Sequence, residues 1–469
     1  MRGVGPACAP CREAQGAEAQ GRQDAEAGPG RQPHQQVGQG GHPCRAPRPQ
    51  GGQETRALTL DIAERKLDSG LTLLAVRNEG VETFATVASF DIRAGDEPED
   101  QCGLTNLVGE CIDEGTKKHG ALEFAAAIES IGGAIGANHR GGSMLCPAEN
   151  AKGGIELLRE MLLEPTFPGR EVRRVRGEIL TEILADEDDP RSVAARRFRK
   201  EVYGKHPLGR PSQGTVKSVK RIEPKHLRRF HGEFFAPEGG YVAAAGPMEP
   251  QRMLDMLARS FGRMKGKTPK HAAMPAVAMP KEARDVHVPM AREQVHVFLG
   301  HLGIRRTDPD FYVLSVMDHI LGTGPGFTSR CSRRLRDEQG LCYSVSAGIT
   351  GSAGEEPGTF TAYIGTSPEH RQKAIDGFLE EIRRIRKEPC TQQELDDVVA
   401  YLTGSFVFAL ERNTNLAGYA IRARRFELGF DYLHRYPDII RSVTREQVRA
   451  AAESRLDPDR LVIVSAGAS

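Results

Sequence analysis

The chain repeats one pattern of residues near the end of each half, and this repeat restricts the folds that it can adopt. The segment 222–246 has a helix pattern, a proline turn and an apolar strand pattern, and 443–467 repeats that plan without a gap. Pro237 aligns with Pro458, and both segments end on an apolar run closed by Ala-Gly. A repeat at this wide spacing predicts two related domains rather than a solenoid.

A weaker similarity supports the same duplication. The segment 86–115 is similar to 295–324, because each has a strand pattern, an Asp/Pro turn and a helix pattern that ends at glycine. Residues 265–285 are rich in Pro, Ala and Lys, which is typical of a linker. A chain of 469 residues with 39% hydrophobic content can fill two cores. We therefore expect an N-terminal domain at 57–264 and a C-terminal domain at 286–469.

The order of strand and helix patterns predicts the fold class. In the first half these patterns follow one another at 58–62, 71–76, 86–92, 103–115, 121–131 and 170–203. The first three are strand patterns, and the last predicts one or two helices around Pro190. Because they do not alternate as regular βαβ units, the α+β class is favoured.

The first 56 residues differ in composition from the rest. They are mainly Gly, Gln, Ala, Arg and Pro, so they cannot bury enough apolar surface to offset their ordering entropy, and we predict a disordered low-complexity tail. A metal site is the alternative, from Cys8, Cys11, His34, His42 and Cys44. The tail has no apolar core of a signal peptide, so no secretory signal is expected, and both cytoplasm and periplasm stay open as compartments.

Bulk properties exclude some classes of function. The net charge of +1 argues against nucleic acid as a partner of the whole chain. No run of about 18 apolar residues occurs, so no membrane span is predicted. The nine cysteines are scattered and odd in number, as expected for reduced thiols rather than a disulfide framework.

The helix pattern that begins at Gly103 has the frame of an inverted zinc motif, His-x-x-Glu-His, without its chemistry. Asn106, Gly109 and Glu110 stand at the positions of the first His, the Glu and the second His. In that motif two imidazoles on one helix face bind Zn²⁺, and the Glu activates the metal-bound water. Asn is a poor zinc ligand and Gly has no side chain to act as a base. No catalytic residue and no bound metal are therefore expected on this helix.

Residues 57–469 resemble the M16 family of peptidases, which includes insulinase, pitrilysin and the mitochondrial processing peptidase. Its zinc helix has the frame Gly-Leu-x-His-x-x-Glu-His-x-x-x-x-Gly-Thr, and this chain keeps Gly103, Leu104, Gly115 and Thr116. Further similar segments are 131–133, 206–210 and 214–215. The resemblance implies two homologous domains, each a mostly antiparallel sheet packed with helices. It also places Glu182 at the position of the third zinc ligand.

The altered motif leaves another metal as an alternative. Asn106, Glu110 and Glu182 would offer three oxygen donors, a set that suits Mg²⁺ or Ca²⁺ more than Zn²⁺. Paired carboxylates more often bind Lys or Arg, so we expect no metal there.

The second half keeps a different signature of the family. The segment from Arg336 to Tyr343 is similar to Leu-Arg-x-x-x-Gly-Leu-x-Tyr, in which the Arg and Tyr contact substrate. A guanidinium can donate to a peptide carbonyl or carboxylate, and a phenol can donate to a developing oxyanion. The helix should end near Gly340 with Tyr343 entering the next strand. The alternative, from residue type alone, is that Arg336 forms a surface ion pair and that Tyr343 is a half-buried strand residue without a role in binding.

A degenerate zinc helix beside a retained Arg/Tyr element resembles the non-catalytic subunit of the family's heterodimeric branch. The resemblance implies that this chain is the substrate-binding, non-catalytic subunit of a heterodimeric zinc endopeptidase. The resemblance implies a partner homologue that carries His-x-x-Glu-His and the zinc, and an unfolded peptide as substrate. Two alternatives remain: a zinc endopeptidase active on its own, and a structural or assembly subunit.

Overall fold

Two β-sheets organise the part of the chain that the computed structural model describes, residues 61–325 and 328–468. The first half supplies β1 (Ile62–Lys66), β2 (Thr72–Arg77), β3 (Thr83–Ser89), β4 (Ala134–Asn138), β5 (Gly141–Pro147) and β6 (Tyr241–Gly246). The second half supplies β7 (Arg284–Pro289), β8 (Val295–Leu302), β9 (Val345–Gly348), β10 (Thr359–Thr366) and β11 (Val462–Gly467).

Helices cover both sheets. Those of the first half are α1 (Leu104–Cys111), α2 (Ala121–Ser130), α3 (Ala151–Leu163), α4 (Gly169–Asp188), α5 (Pro190–Tyr203), α6 (Val216–Val219), α7 (Pro224–Phe234) and α8 (Pro250–Phe261). Those of the second half are α9 (Phe311–Asp318), α10 (Arg371–Lys387), α11 (Gln392–Ser405), α12 (Asn413–Arg425), α13 (Tyr432–Arg441) and α14 (Arg445–Arg455). Two π-helical segments, His319–Thr323 and Ser332–Glu338, and a 3₁₀ segment, Phe406–Leu410, also matter below.

The two sheets have the same strand order. The first is β1-β2-β6-β3-β5-β4 and the second is β7-β11-β8-β10-β9, so they match strand for strand once β1 is set aside. In each sheet one pair is parallel, β2 with β6 and β7 with β11, and the remaining pairs are antiparallel. This confirms the predicted α+β class with two homologous, mostly antiparallel sheets.

The repeat in the sequence corresponds to a structural unit. Helix α7 and strand β6 match α14 and β11, with Pro237 and Pro458 in the two connections. Each of these strands is central and nearly wholly buried, which explains their apolar sequences.

Individual boundaries differ from the prediction in two places. Strand β3 begins at Thr83 and ends at Ser89, three residues earlier than the pattern indicated. Helix α1 ends at Cys111, four residues earlier than the pattern indicated, and Gly115 at the predicted end has a φ of +144°, outside the helical region. The pattern over 170–203 forms two helices, and Asp189 caps the second by accepting from the Ser192 amide at 2.8 Å.

Each sheet is covered on one face by its own helices and on the other by a helix from the opposite half. Helix α5 packs on β8 and β11, and α12 packs on β2, β3 and β6. Each helix packs an apolar face against its sheet. Phe198 of α5 is 2% exposed and Leu416 of α12 is 1% exposed. The two halves form one compact unit. The structure therefore does not test the predicted domain boundaries at 264 and 286, which stay a prediction.

The segment predicted as a linker lies against the first half. His271 bonds Asp96 through Nδ1 at 2.9 Å and Asp91 through Nε2 at 3.0 Å. The predicted tail with its cysteines and histidines, and most of the predicted strand 58–62, lie outside the described residues. Within the described chain, no helix is both long enough and apolar enough to cross a bilayer.

Candidate functional site

Helix α1 carries the degenerate motif and is fixed by its apolar face. Leu104, Leu107 and Val108 follow helical spacing and are fully buried in the core of the first half. Asn106 is half-buried and Glu110 is exposed, so both lie off that face. Glu97 accepts from the Thr105 amide at 2.8 Å and satisfies a donor at the helix start.

The glycine that opens the motif has a packing role that links two sequence signatures. Gly103 has φ +97°, and a Cβ there would lie 2.5 Å from the carbonyl oxygen of Gln213. Gly214, in the second signature, has φ +84°, and its Cβ would lie 2.3 Å from the carbonyl oxygen of Cys102. Each glycine therefore allows the backbones of the two segments to approach closely.

The Gly-Thr pair that closes the motif also has a structural role. Gly115 packs against Pro168, and the Thr116 hydroxyl donates to the buried carboxylate of Glu160. His119 Nδ1 lies 2.8 Å from the same carboxylate. The frame of the motif thus survives without zinc because it holds α1 and the following turn in the core.

Gly109, at the position of the catalytic Glu, lies directly under the β4–β5 turn. A Cβ there would lie 2.9 Å from the carbonyl carbon of Asn138 and 3.0 Å from the amide nitrogen of His139. Real Cβ atoms do not approach backbone this closely, so a side chain at this position would displace the turn. Backbone atoms of the β4–β5 turn therefore occupy the space that the first atoms of a catalytic Glu side chain would need.

The remaining motif residues do not make a zinc site. Burial and the charge of Glu182 raise the pKa of Glu110, so the two carboxyls are close enough to interact. The Glu182 carboxylate also lies 3.5 Å from the side-chain amide of Gln213. Protein zinc sites are tetrahedral and usually include His nitrogen or Cys sulfur ligands, whereas Asn106, Glu110 and Glu182 offer only oxygen donors or an amide. In the described part of the chain, no group of three or more His, Cys, Asp or Glu side chains is placed to hold a metal.

A cavity of about 470 Å³ opens beside Asn106, between the two halves. Arg140 and Glu355 meet across it at 2.7 Å, and Arg305 pairs with Glu356 at 2.8 Å. Sequence reasoning did not identify these residues, because they lie in turns without a recognisable spacing. Burial and the charge of Arg140 lower the pKa of His139, which also lines the cavity.

The side chains of Arg336 and Tyr343 lie next to each other. The Arg336 guanidinium lies over the Tyr343 ring, 5.6 Å from its centroid, in a cation–π arrangement. Tyr343 is 74% exposed, although it is a large aromatic residue. It lies two residues before β9 rather than within it, while the helical segment ends at Glu338, close to the predicted position.

The segment that carries Arg336 is anchored by buried ion pairs. Arg330, 3% exposed, donates to both carboxylate oxygens of Glu394 at 2.8 Å, and Arg334 donates to Glu381 at 2.9 Å. Although burial acts to raise the pKa of Glu394, the bidentate pairing with Arg330 holds this pKa at about 2. Sequence reasoning missed these pairs, although the capping pattern Thr391-x-x-Glu394 was a visible signal for the second partner.

The structure does not bring the two signatures into one cavity. Of the described residues, those that line the cavity beside Asn106 include neither Arg336 nor Tyr343. The two elements lie on different sheets, α1 on the first and Ser332–Glu338 with β9 on the second.

Comparison with known proteins agrees with this fold. The model of the family "Insulinase (Peptidase family M16)" matches residues 74–216, and that of the "Peptidase M16 inactive domain" matches residues 221–402. An uncharacterized zinc protease of Streptomyces coelicolor is 29% identical over 401 residues, 82% of this chain and 84% of the relative. A protein of Helicobacter pylori named as a non-peptidase homologue is 25% identical over 311 residues, 65% of this chain and 70% of the relative.

A solved structure extends the match to the whole fold. The crystal structure of a peptidase M16 inactive domain from Pseudomonas fluorescens superposes with a TM-score of 0.82 at 25% identity, over 87% of this chain and 99% of that chain.

Proposed function

The chain belongs to the M16 peptidase family, and we propose that it is a non-catalytic subunit that binds unfolded peptide beside a zinc-bearing homologue. The observation that carries this proposal is the contact at Gly109. Backbone atoms of Asn138 and His139 fill the position from which the family's catalytic Glu would extend. The similarity to a relative named as a non-peptidase homologue and to a solved inactive domain points in the same direction.

The Arg336–Tyr343 pair supports a role in binding. Tyrosine and arginine are both enriched at protein–protein interfaces, and here an exposed tyrosine is stacked by an arginine. The ion pairs of Arg330 and Arg334 restrict the motion of the segment that presents Arg336. A scaffold of this kind reduces the entropy lost when a ligand binds.

In this proposal the partner binds the zinc and carries out peptide hydrolysis. This chain would contribute donors to peptide carbonyl groups or to a terminal carboxylate, from the Arg336 guanidinium and the Tyr343 hydroxyl. The donors of Asn106 and Glu110 on α1 and of Glu182 on α4 do not fit zinc, so no catalytic step is assigned to them.

Reconstitution tests the proposal. The full chain is co-expressed with a homologue that has an intact His-x-x-Glu-His motif, and cleavage of an unstructured peptide is measured with and without chelator. We expect a complex that cleaves, and no chelator-sensitive cleavage by this chain alone. Chelator-sensitive cleavage by the purified chain would instead indicate a peptidase active on its own.

A substitution at Arg336 tests the binding role within that complex. Arg336→Ala should lower kcat/KM about tenfold or more without preventing assembly, because a hydrogen bond to a charged group contributes about 1.5–3 kcal/mol. Arg333→Ala, in the same segment, is the matched control, since Arg333 is exposed and lies 3.7 Å from the Glu394 carboxylate. If Arg336→Ala left an assembled peptidase unaffected, a structural role would be the better description.

A further inference from the structure

A small cavity in the second half combines positive charge with aromatic walls. It has a volume of about 160 Å³ and lies between α12, the 3₁₀ segment Phe406–Leu410 and the start of α13. Arg306, Arg422, Tyr419 and Tyr432 supply the polar atoms of its lining, and no described Asp or Glu lines it. The cavity is separate from the one beside Asn106 and contains neither Arg336 nor Tyr343.

The cavity is lined by two guanidinium groups, those of Arg306 and Arg422. Among the described residues, no carboxylate forms a salt bridge with Arg306 or Arg422. Asp431, next to Tyr432 in the chain, is paired with Arg435 at 2.6 Å. Burial lowers the pKa of Arg422, and the charge of Arg306 acts in the same direction. Arg306 is half-buried and Arg422 is exposed, so an anion from solvent can reach both charges and compensate them.

The positions of these groups are fixed by packing. The Arg306 guanidinium lies 3.8 Å from the centroid of the Phe311 ring and donates to the hydroxyl oxygens of Tyr312 and Tyr432 at 3.3 Å. Arg422 extends from α12, whose neighbouring residue Ile421 is buried against the first sheet. Arg306 is thus held by its contacts in the turn after β8, and Arg422 is positioned by α12.

The lining of the cavity includes the buried hydroxyl of Tyr419. Tyr419 is 6% exposed, and no described residue accepts the proton of its hydroxyl. A buried donor left in this state costs about 1–3 kcal/mol. An oxyanion in the cavity would accept from this hydroxyl and from Arg422 at once.

We propose that this cavity binds the oxyanion head group, carboxylate or phosphate, of a ligand that also has an apolar part. The volume is below the roughly 300–1,000 Å³ of sites that enclose a whole ligand, so only a head group fits. The same 3₁₀ segment that supplies Phe406 to the lining leaves Val407 and Phe408 57% and 66% exposed. Apolar surface is thus available next to the head-group site.

Calorimetric titration of the full chain tests this proposal. The probes are N-acetyl-phenylalanine, phenyl phosphate and inorganic phosphate, with N-acetyl-phenylalanine amide as the neutral analogue. We expect at least one of the aromatic anions to bind about tenfold more tightly than the neutral amide. The two aromatic probes distinguish a carboxylate from a phosphate. Equal affinity for the neutral amide, or no binding by any anion, would overturn the proposal.

Two variants locate the binding. Arg422→Gln should weaken the anion about tenfold, and Tyr419→Phe, which removes only one oxygen atom, should weaken it several-fold. Arg229→Gln is the control, because it removes one exposed charge from α7 in the other half. Circular dichroism and melting confirm that each variant folds. Unchanged affinity in a folded Arg422→Gln or Tyr419→Phe protein would place the anion elsewhere and refute the assignment.

Discussion

At the scale of single residues, two glycines in helix interiors have opposite roles. Gly109 is buried and its missing side chain admits the backbone of residues 138–139, whereas Gly177 in α4 is exposed, and a Cβ there would meet nothing within 4 Å. The intrinsic cost of glycine in a helix is the same for both, about 1 kcal/mol relative to alanine. The surroundings of each glycine therefore decide whether its substitution by alanine raises or lowers the free energy of unfolding.

This contrast gives a direct prediction. Gly109→Ala should lower the free energy of unfolding by about 1–3 kcal/mol, because the new methyl group displaces the β4–β5 turn. Gly177→Ala should raise it by about 0.5–1 kcal/mol. Urea denaturation measures both. Stabilisation by Gly109→Ala would show that the turn yields readily, and would remove the main structural objection to a side chain at that position.

The alignment of the two halves places Asp318 opposite Gly109, and the same region of the fold is filled differently there. The buried Asp318 carboxylate accepts from the amides of Ile349 and Thr350, both at 2.8 Å, in the β9–β10 connection. In the first half the corresponding β4–β5 turn contacts the helix directly at Gly109. The hydrogen bonds of Asp318 in the second half and the backbone contact at Gly109 in the first half thus both hold a hairpin against a helix.

At the scale of elements, the helical segment Ser332–Glu338 depends on charge pairs that titrate. The pKa of Glu394 in the folded protein is about 2, below its ordinary value of 4.5. The pair with Arg330 therefore stabilises the fold fully above about pH 4.5, and this contribution is lost as the pH falls towards 2. Asp318 acts oppositely, since burial raises its pKa to about 6 and its ionisation above that pH is a cost.

Comparison of the protein with Glu394→Gln isolates the first effect, because Asp318 titrates in both. Glutamine keeps the capping pattern of α11 but not the charge. At pH 7 the variant should be less stable by about 1–3 kcal/mol, and the difference should shrink steadily between pH 4.5 and 2 in urea denaturation. Glu129→Gln, at an exposed position, should leave the profile unchanged. A difference independent of pH would argue against the charge pair as the cause.

At the scale of the whole molecule, the halves are joined by an exchange of helices. Phe198 of α5 packs among strands of the second sheet, and Leu416 of α12 packs on the first. Polar contacts reinforce the exchange, since the Asn413 side chain donates to the Thr83 carbonyl at 2.7 Å and Arg425 donates to the Ser89 hydroxyl at 3.0 Å. Neither sheet is covered on both faces without the opposite half.

The exchange predicts cooperative unfolding. Phe198→Ala removes a buried ring from the second sheet and should cost about 3–5 kcal/mol. Although Phe198 belongs to the first half, we expect calorimetry to show one transition at a lower Tm, with no half melting separately. Leu122→Ala, at a side chain 87% exposed, should leave the Tm within about 1–2 °C. Two separate transitions in Phe198→Ala would show that the halves fold independently.

The sequence by itself determined the duplication, the α+β class and the loss of the zinc ligands. These follow from local patterns: the aligned helix and strand of 222–246 and 443–467, and the residue types at Asn106, Gly109 and Glu110. The motif from Arg336 to Tyr343 is local in the same way, because the two residues are close in the chain.

Tertiary structure alone decided how distant segments meet. The contact of Gly109 with residues 138–139, the pairing of Arg330 with Glu394 and the exchange of α5 and α12 join positions far apart in the chain. Helix and strand patterns report which face of an element is apolar, and they carry no information on which partner covers that face. The partner is set by the packing of the whole chain, and so the cavities and their charges appear only in the folded molecule.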